Sequence, residues 1–357
     1  MKLLKFKAWE YWPTYMFYLP NIPYAVYLAL RAKNLVFFSA TNPCIKHSGN
    51  GSESKFATIK LIPTAFKPIS IFIKANASID NTLDKVFKNK IKFPLIIKPD
   101  VGFRGLLVNR ITTKIELITY LKTHQNFNLI IQEFVDYKNE CGIFYHRLPN
   151  QQHGKITSIT LKKYLTIIGD GNTTLVELIN KDKRAILYLQ LITELHQQNF
   201  HLILKKGEKF ILNLIGNHSK GTQFINGAHL INHQLEIAID SVLQQIPNFY
   251  YGRLDIKYNS FEDLEQVKNF KIIELNGIIS EPTHIYDSSK TTYIKALKEI
   301  RNHWKLIYKI STTNHKINNV KYTRISDFFN SLIQLKKYIK QAKATHLTPN
   351  KVLSQNS

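Results

Sequence analysis

The sequence predicts a mixed α+β or α/β protein of about two domains, and three observations carry that reading. Apolar runs of strand length, such as Leu95-Ile96-Ile97 and Leu129-Ile130-Ile131, alternate with stretches of helical periodicity between residues 78 and 275. From Thr291 onward the pattern turns helical. At 357 residues with 44% hydrophobic content the chain can bury real cores, and its 21% charged fraction is ordinary for a soluble protein.

Residues 11–30 carry no charge, which invites a membrane-spanning reading, but Pro13, Pro20, Asn21 and Pro23 break the apolar run and any helix through it. A signal peptide needs an unbroken apolar stretch and a small-residue cleavage site, and neither is present. The segment is expected to pack as an aromatic surface or to lie against a membrane interface. Leu35–Ser39 reads as a strand, residues 47–52 as a loop, and residues 78–90 as a helix capped by Asp80 or Asn81. Pro94–Lys98 and Leu129–Glu133 read as buried strands flanking a helix at Lys114–Thr123. Strand patterns follow at 141–145 and 156–160, then a turn at Asp170-Gly171-Asn172 and a helix capped by Thr173 and running to Ile179. Residues 201–215 alternate around Lys206-Gly207-Glu208, a hairpin pattern, and two strands, Arg253–Tyr258 and Lys271–Leu275, close the core. In the helical remainder Trp304, Ile307 and Ile310 share a stripe. A last helix, Ile325–Ala344, sets Phe328, Phe329, Leu332, Leu335 and Ile339 against a basic side.

The net charge of +24 predicts a surface that attracts anions, although much of it is lysine in an Ile- and Asn-rich composition. Only eight arginines occur, so one inside a motif points to bidentate phosphate or carboxylate contact. Cys44 and Cys141 make no disulfide framework and no zinc spacing; both are expected to be small buried residues.

The strongest chemical constellation is Arg253-Leu254-Asp255-Ile256-Lys257 followed by Lys271-Ile272-Ile273-Glu274-Leu275-Asn276-Gly277. Strand alternation puts Arg253 with Asp255, and Glu274 with Asn276, while Leu254, Ile256, Ile273 and Leu275 turn to apolar packing. Neighbouring strands would converge three oxygen-bearing side chains, as magnesium requires alongside nucleotide phosphates and water. Acidic groups between aliphatic residues are costly without a partner. A second feature is Pro94-Leu95-Ile96-Ile97-Lys98-Pro99-Asp100 and the loop Val101-Gly102-Phe103-Arg104-Gly105, a lysine and open amides suited to phosphate. A third is Gln132-Glu133-Phe134-Val135 with Glu140, where a strand edge can bond an adenine and a carboxylate a ribose.

In this order and spacing the three features resemble the ATP-grasp superfamily, especially carboxylate–amine ligases of the D-alanine–D-alanine ligase and cyanophycin synthetase kind, over roughly residues 85–285. The resemblance implies an α+β ATP-grasp fold, two lobes clasping ATP, in an ATP-grasp domain at 89–287. The residue pattern adds a short aromatic N-terminal unit (1–88), unlike the N-terminal lobe of those families, C-terminal helices (288–345) and a disordered tail (346–357). It implies that Lys98 contacts ATP phosphates, with Arg104 and Gln132 also at the nucleotide, that Glu133 and Val135 meet the adenine, and that Glu140 binds ribose. Asp255, Glu274 and Asn276 would hold two magnesium ions, manganese being the alternative, and Arg253 would steady the transferred phosphate. A middle stretch, Asn217-His218-Ser219-Lys220-Gly221-Thr222, is similar to the cyanophycin synthetase type and would cradle the acyl phosphate through Asn217, Ser219 and Gly221. Lys162 or Lys163 would be a second ATP lysine, and Lys55 stands for the one opening the site.

The implied activity is ATP-dependent ligation of a carboxylate to an amine, or to a thiol, through an acyl phosphate. Kinase chemistry on the same scaffold is the alternative, and a basic membrane-surface or nucleic-acid binder without turnover is the third reading. Nucleic acid is disfavoured because basic residues are spread over the whole chain and no RNA-binding motif occurs. His146, His218 and His284 are candidate proton acceptors or substrate contacts. The expected location is cytoplasmic, with a peripheral contact at an anionic inner membrane face and a homodimer left open.

Overall fold

The computed structural model describes residues 9–102 and 105–347. The chain begins with helices α1 (Ile22–Ala32) and α2 (Lys55–Leu61). A first lobe follows: β1 (Ser70–Ile73), α3 (Ile79–Lys88), β2 (Leu95–Pro99), β3 (Asn109–Ile111), α4 (Lys114–Thr123) and β4 (Leu129–Glu133). Its strands form an antiparallel sheet in the order β1-β4-β2-β3. Leu95, Ile97, Leu129 and Ile131 from one face of that sheet meet Val86 of α3 and Leu117 of α4 in a shared core.

The second lobe contains β5 (Asn139–His146), β6 (Lys155–Lys163), β7 (Thr166–Ile168), α5 (Leu175–Lys181), α6 (Leu189–His196), β8 (Lys209–Ile211), β9 (Gln223–Asn226), α7 (His233–Leu243), β10 (Tyr251–Tyr258), α8 (Phe261–Glu265) and β11 (Phe270–Asn276). Five of these strands make an antiparallel sheet, β11-β10-β5-β6-β9, while β7 and β8 form a separate ribbon packed with α5 and α6. Ile143, Leu254 and Ile256 back the sheet against Ile239 and Leu243 of α7. Helices α9 (Tyr293–Ile317) and α10 (Ile325–Leu347) end the described chain. This is the two-lobed α+β architecture, with C-terminal helices, that the resemblance implied.

The expected boundary at residue 88 falls inside the first lobe, because β1 pairs with β4 through Phe72↔Ile130 and its neighbours. Nor does the segment before β1 stand apart: Ile45 and Ile62 enter the second lobe's core, and Leu28 and Phe37 pack with Ile307 and Ile310 of α9. Asn42, fully buried, accepts from the amides of Tyr250 and Tyr251 at 2.9 and 3.0 Å and donates to the Tyr251 carbonyl at 2.7 Å. That side chain fixes the start of β10, the strand carrying Arg253 and Asp255.

Several local expectations are corrected. Residues 35–39 are not a strand; Phe37–Ala40 form a short 3-10 helix whose Phe37 carbonyl accepts from Ser311 of α9. Pro20 and Pro23 occupy first turns of helices, where a missing amide loses nothing, so α1 forms through the proline-rich segment. Ser78, not Asp80 or Asn81, caps α3, and Thr174, not Thr173, caps α5 in a capping box with Glu177. The turn at 205–208 exists, but β8 pairs with β7 rather than closing a local hairpin. Phe329 is 53% exposed, whereas Tyr338 and Ala342 dock α10 on the first lobe's core. The tail's residues 348–357 lie outside the described residues.

Among the described residues no helix is long and apolar enough to cross a membrane. Cys44 and Cys141 are free, and burial pushes the Cys44 thiol up to about 12.

Candidate active site

The two sheets face each other across a cleft of about 790 Å³. In β2 the side chains of Leu95 and Ile97 enter the core, so pleating sends Ile96 and Lys98 into the cleft. Lys98 is buried, and its ammonium reaches only neutral oxygens: Gln132 Oε1 at 3.1 Å and the Ile273 carbonyl at 3.4 Å. Among the described residues no carboxylate lies within ion-pair distance of it. Burial, and then the neighbouring Lys55, bring its pKa down to about 7. Gln132 also donates to Ser70 at 3.0 Å, so it orients Lys98 from the adjacent strand.

Lys55 opens α2, and Asp100 holds it there. The Asp100 carboxylate accepts from the Ser54 hydroxyl and the Phe56 amide at 2.9 Å each, and its carbonyl accepts from the Lys55 amide at 2.8 Å. The end of β2 is thus tied to the start of α2, which brings Lys55 and Lys98 into one site. Lys55 pairs with Glu274.

On the second sheet, β10 and β11 are neighbours, as the convergence of their motifs required, and they pair with Asp255 opposite Glu274 and Arg253 opposite Asn276. Ile273 is a correction. A bulge between the Asp255–Glu274 and Ile256–Ile272 pairs puts Ile272 in the core and turns Ile273 into the cleft beside Glu274. Arg253 donates to both Asp255 oxygens, at 2.8 and 3.3 Å, and Lys162 lies 3.3 Å from Asp255 and 2.7 Å from Glu140. Burial alone would raise the Asp255 carboxyl; Arg253 and Lys162 instead hold it down at about 2. Gly142 sits opposite Asp255, and a Cβ there would come within 3.1 Å of Arg253 Cδ. Gly277 is needed where the chain leaves β11: a Cβ there would lie 2.1 Å from the Ser48 carbonyl oxygen.

Lys55, Lys98, Gln132, Glu133, Val135, Glu140 and Lys162 all line the cleft, as do Arg253, Asp255, Glu274 and Asn276. Glu133 accepts from the Ile69 amide at 3.0 Å. Asn217 and Ser219 line it too; the Asn217 side chain accepts from the Ser219 amide at 3.0 Å and caps the short helix His218–Lys220. Gly221 and His284 are not among the lining residues. The Gly221 carbonyl accepts from Arg184 at 2.8 Å, a structural contact. His284 sits behind the wall, and burial lowers its pKa to about 4, so it stays neutral. His146 is also off the cleft, while His218 lines it and bonds Glu10 at 3.2 Å. Arg104 lies outside the described residues.

Sequence reasoning missed Asp100, Tyr164, Lys257, Glu10 and Glu281. Tyr164 donates to Glu140 at 2.5 Å and Lys257 lies 3.9 Å from it. Asp100 ends the quoted Lys98 motif and Lys257 ends the Arg253 motif; nothing local marks the others.

The donor set suits a hard cation shared with phosphates: two carboxylates and an amide oxygen stand on registered strands, and Asn276 Nδ2, an N–H donor suited to a phosphate oxygen, is buried without a partner among the described residues. Among the described residues no group of three His, Cys, Asp or Glu side chains could hold a metal by itself.

No protein-family model matches the chain, and no curated protein matches it. Solved structures similar to it include a bifunctional glutathione synthetase from Pasteurella multocida, at 14% identity and a TM-score of 0.38 over 71% of this chain and 35% of that one. Others are the VanG D-Ala:D-Ser ligase from Enterococcus faecalis, at 13% and 0.40 over 71% and 62%, and a D-alanine–D-alanine ligase from Bacillus anthracis complexed with ATP, at 17% and 0.37 over 72% and 67%. The chain therefore spans 35% and 62% of the length of the first two.

Proposed function

We propose that the protein is an ATP-dependent carboxylate–amine ligase working through an acyl phosphate with magnesium. The observation that carries this is Lys98, a buried ammonium without an anionic partner among the described residues, facing Asp255, Glu274 and Asn276 across one cleft. A buried charge without a counter-ion is unfavourable, and a triphosphate supplies that counter-ion. Magnesium would be held by Asp255, Glu274 and Asn276 and, when bound, would neutralise charge on the transferring phosphate. Lys98 and Lys55 hold the phosphates, Lys162 keeps Glu140 placed for the ribose, and Glu133 with Val135 borders the base. Arg253 grips the phosphoryl group as a substrate carboxylate oxygen attacks it and ADP leaves. The amine nitrogen then attacks the acyl carbon, phosphate leaves, and the nitrogen gives up a proton. Closing the cleft around both substrates keeps water from the acyl phosphate.

Purified protein given ATP, magnesium and pooled amino acids is expected to release ADP, with new amide masses, only when both a carboxylate and an amine are present. ADP release with a phosphorylated product and no amide would point instead to phosphoryl transfer alone.

We also propose an anionic membrane surface as a partner. Ile22, Val26 and Leu30 form an exposed apolar row along α1, at 46, 52 and 72% exposure, with Leu19 (55%) in the 3-10 turn before it, beside Arg31 and Lys33 in a chain of net charge +24. Sedimentation with phosphatidylglycerol vesicles, weaker with phosphatidylcholine and lost in Leu30→Glu, is the expected result; equal recovery with both lipids and both proteins would remove this partner.

A further inference from the structure

The remaining carboxylate at the reactive end of the cleft is Glu281, five residues beyond Asn276. Arg253, the proposed grip on the transferred phosphoryl group, donates to the Glu281 carbonyl at 3.2 Å, so this residue adjoins the place where the acyl phosphate forms. Its carboxylate differs from its neighbours. Glu10 pairs with Arg184 and His218, Glu140 with Lys162, Asp255 with Arg253, and Glu274 with Lys55. Glu53 and Glu133 each bond a backbone amide. Glu281 instead receives two phenol hydroxyls: Tyr18 donates to Oε1, and Tyr286 to Oε2 at 2.8 Å. No cation lies within ion-pair distance of it among the described residues.

A carboxylate oxygen has about two lone-pair sites, so each Glu281 oxygen keeps capacity for another donor after its phenol is counted. The rings of Tyr18 and Tyr286 line the same wall, with Trp12 nearby, and aromatic faces attract cations. Burial, reinforced by Glu281, pushes the Tyr18 hydroxyl well above its ordinary value, so it stays a donor. The other carboxylates at the reactive end, Asp255 and Glu274, are paired with Arg253 and Lys55, and Lys98 adds a further cation. An amine arrives at neutral pH as an ammonium, and a site built only for phosphate would repel it. A carboxylate held by neutral donors beside that site offsets the repulsion without being spent on a protein cation.

We propose that Glu281, framed by Tyr18 and Tyr286, is the ammonium-binding subsite for the amine substrate, which therefore enters as a cation beside aromatic rings. The inference rests on the ligase reading and narrows its second substrate to that class. Tyr18 comes from the aromatic segment near the start of the chain, so that segment contributes to the substrate pocket as well as to packing.

Two measurements test it. In the turnover assay with ATP, magnesium and pooled amino acids, Glu281→Gln is expected to raise the half-saturating amine concentration roughly 10- to 100-fold while leaving that for ATP within about twofold. Tyr286→Phe, which removes one hydroxyl only, should give a smaller shift of the same sign. Benzylammonium and benzyl alcohol serve as probes that need no turnover. Benzylammonium should bind the wild-type protein at least tenfold more tightly than Glu281→Gln, and benzyl alcohol should not distinguish the two. Amide formation with unchanged amine half-saturation in Glu281→Gln, or equal benzylammonium binding to a folded variant, overturns the subsite and leaves ligation standing. Phosphorylation without amide formation by the wild-type protein overturns both.

Discussion

Glu274→Gln and Asp255→Asn are each expected to lower ATP turnover by at least a hundredfold, with the fold intact by circular dichroism. The two carboxylates face each other on β10 and β11, and each is neutralised by protein cations: Glu274 by Lys55, and Asp255 by Arg253 and Lys162. In the proposed reaction nucleotide and metal together would replace that arrangement, because phosphates would take over the cations and free the carboxylates for magnesium. Removing one negative charge leaves the cations in place. Metal-free nucleotide should therefore bind each variant at least as tightly as it binds the wild type, while the gain in affinity and rate on adding magnesium disappears. Losses of 10² to 10³ are typical when one preorganised electrostatic contact to a transition state is removed. Full turnover in Glu274→Gln would show that the magnesium assignment is wrong.

How much of this site the sequence disclosed depends on how far apart the contacting residues lie. The convergence of Asp255 and Glu274 was legible because both motifs alternate cleanly, so pleating fixes which side chains share a face, although the helix α8 between the strands leaves no local signal of their register. Lys98 was legible for the same reason. The bulge at Ile273 was not, since an extra residue in a ladder leaves no composition signal in a run of aliphatic residues. Asp100 stood in view beside Lys98, but its role depends on Ser54 and Phe56, more than 40 residues away in sequence. Glu281 is harder still: one of its partners, Tyr18, lies 263 positions earlier. The prolines near the start misled because the sequence shows their number but not their position in a turn. Gly221 was named from motif order and His284 from its residue type, and neither says which side of a wall a residue faces.

Nucleotide binding at pH 8 is expected to take up close to one proton per site in the wild type and none in Lys98→Met. The reason is the environment the protein gives Lys98, where burial and Lys55 bring its pKa to about 7 from the ordinary 10.5. At pH 8 most of the protein therefore holds a neutral amine at this position. A bound triphosphate favours the ammonium and raises the pKa, so binding draws a proton from buffer, and affinity falls by up to tenfold per pH unit above about 7 until the bound-state pKa is reached. Calorimetry in buffers of different ionisation enthalpy measures the uptake directly. The folding stability of the protein alone moves the opposite way. Between about 7 and 10.5 the unfolded chain holds more protons at Lys98 than the native one, so this residue's contribution to stability rises with pH across that window. Below about 7 the buried ammonium opposes folding in full. Lys98→Met removes that charge at similar volume, and it should raise the melting temperature at pH 6 while weakening ATP binding by roughly 10- to 100-fold. A variant that melts lower at pH 6, together with wild-type binding that takes up no proton at pH 8, would mean that Lys98 is not the unpaired cation the phosphates find in this cleft.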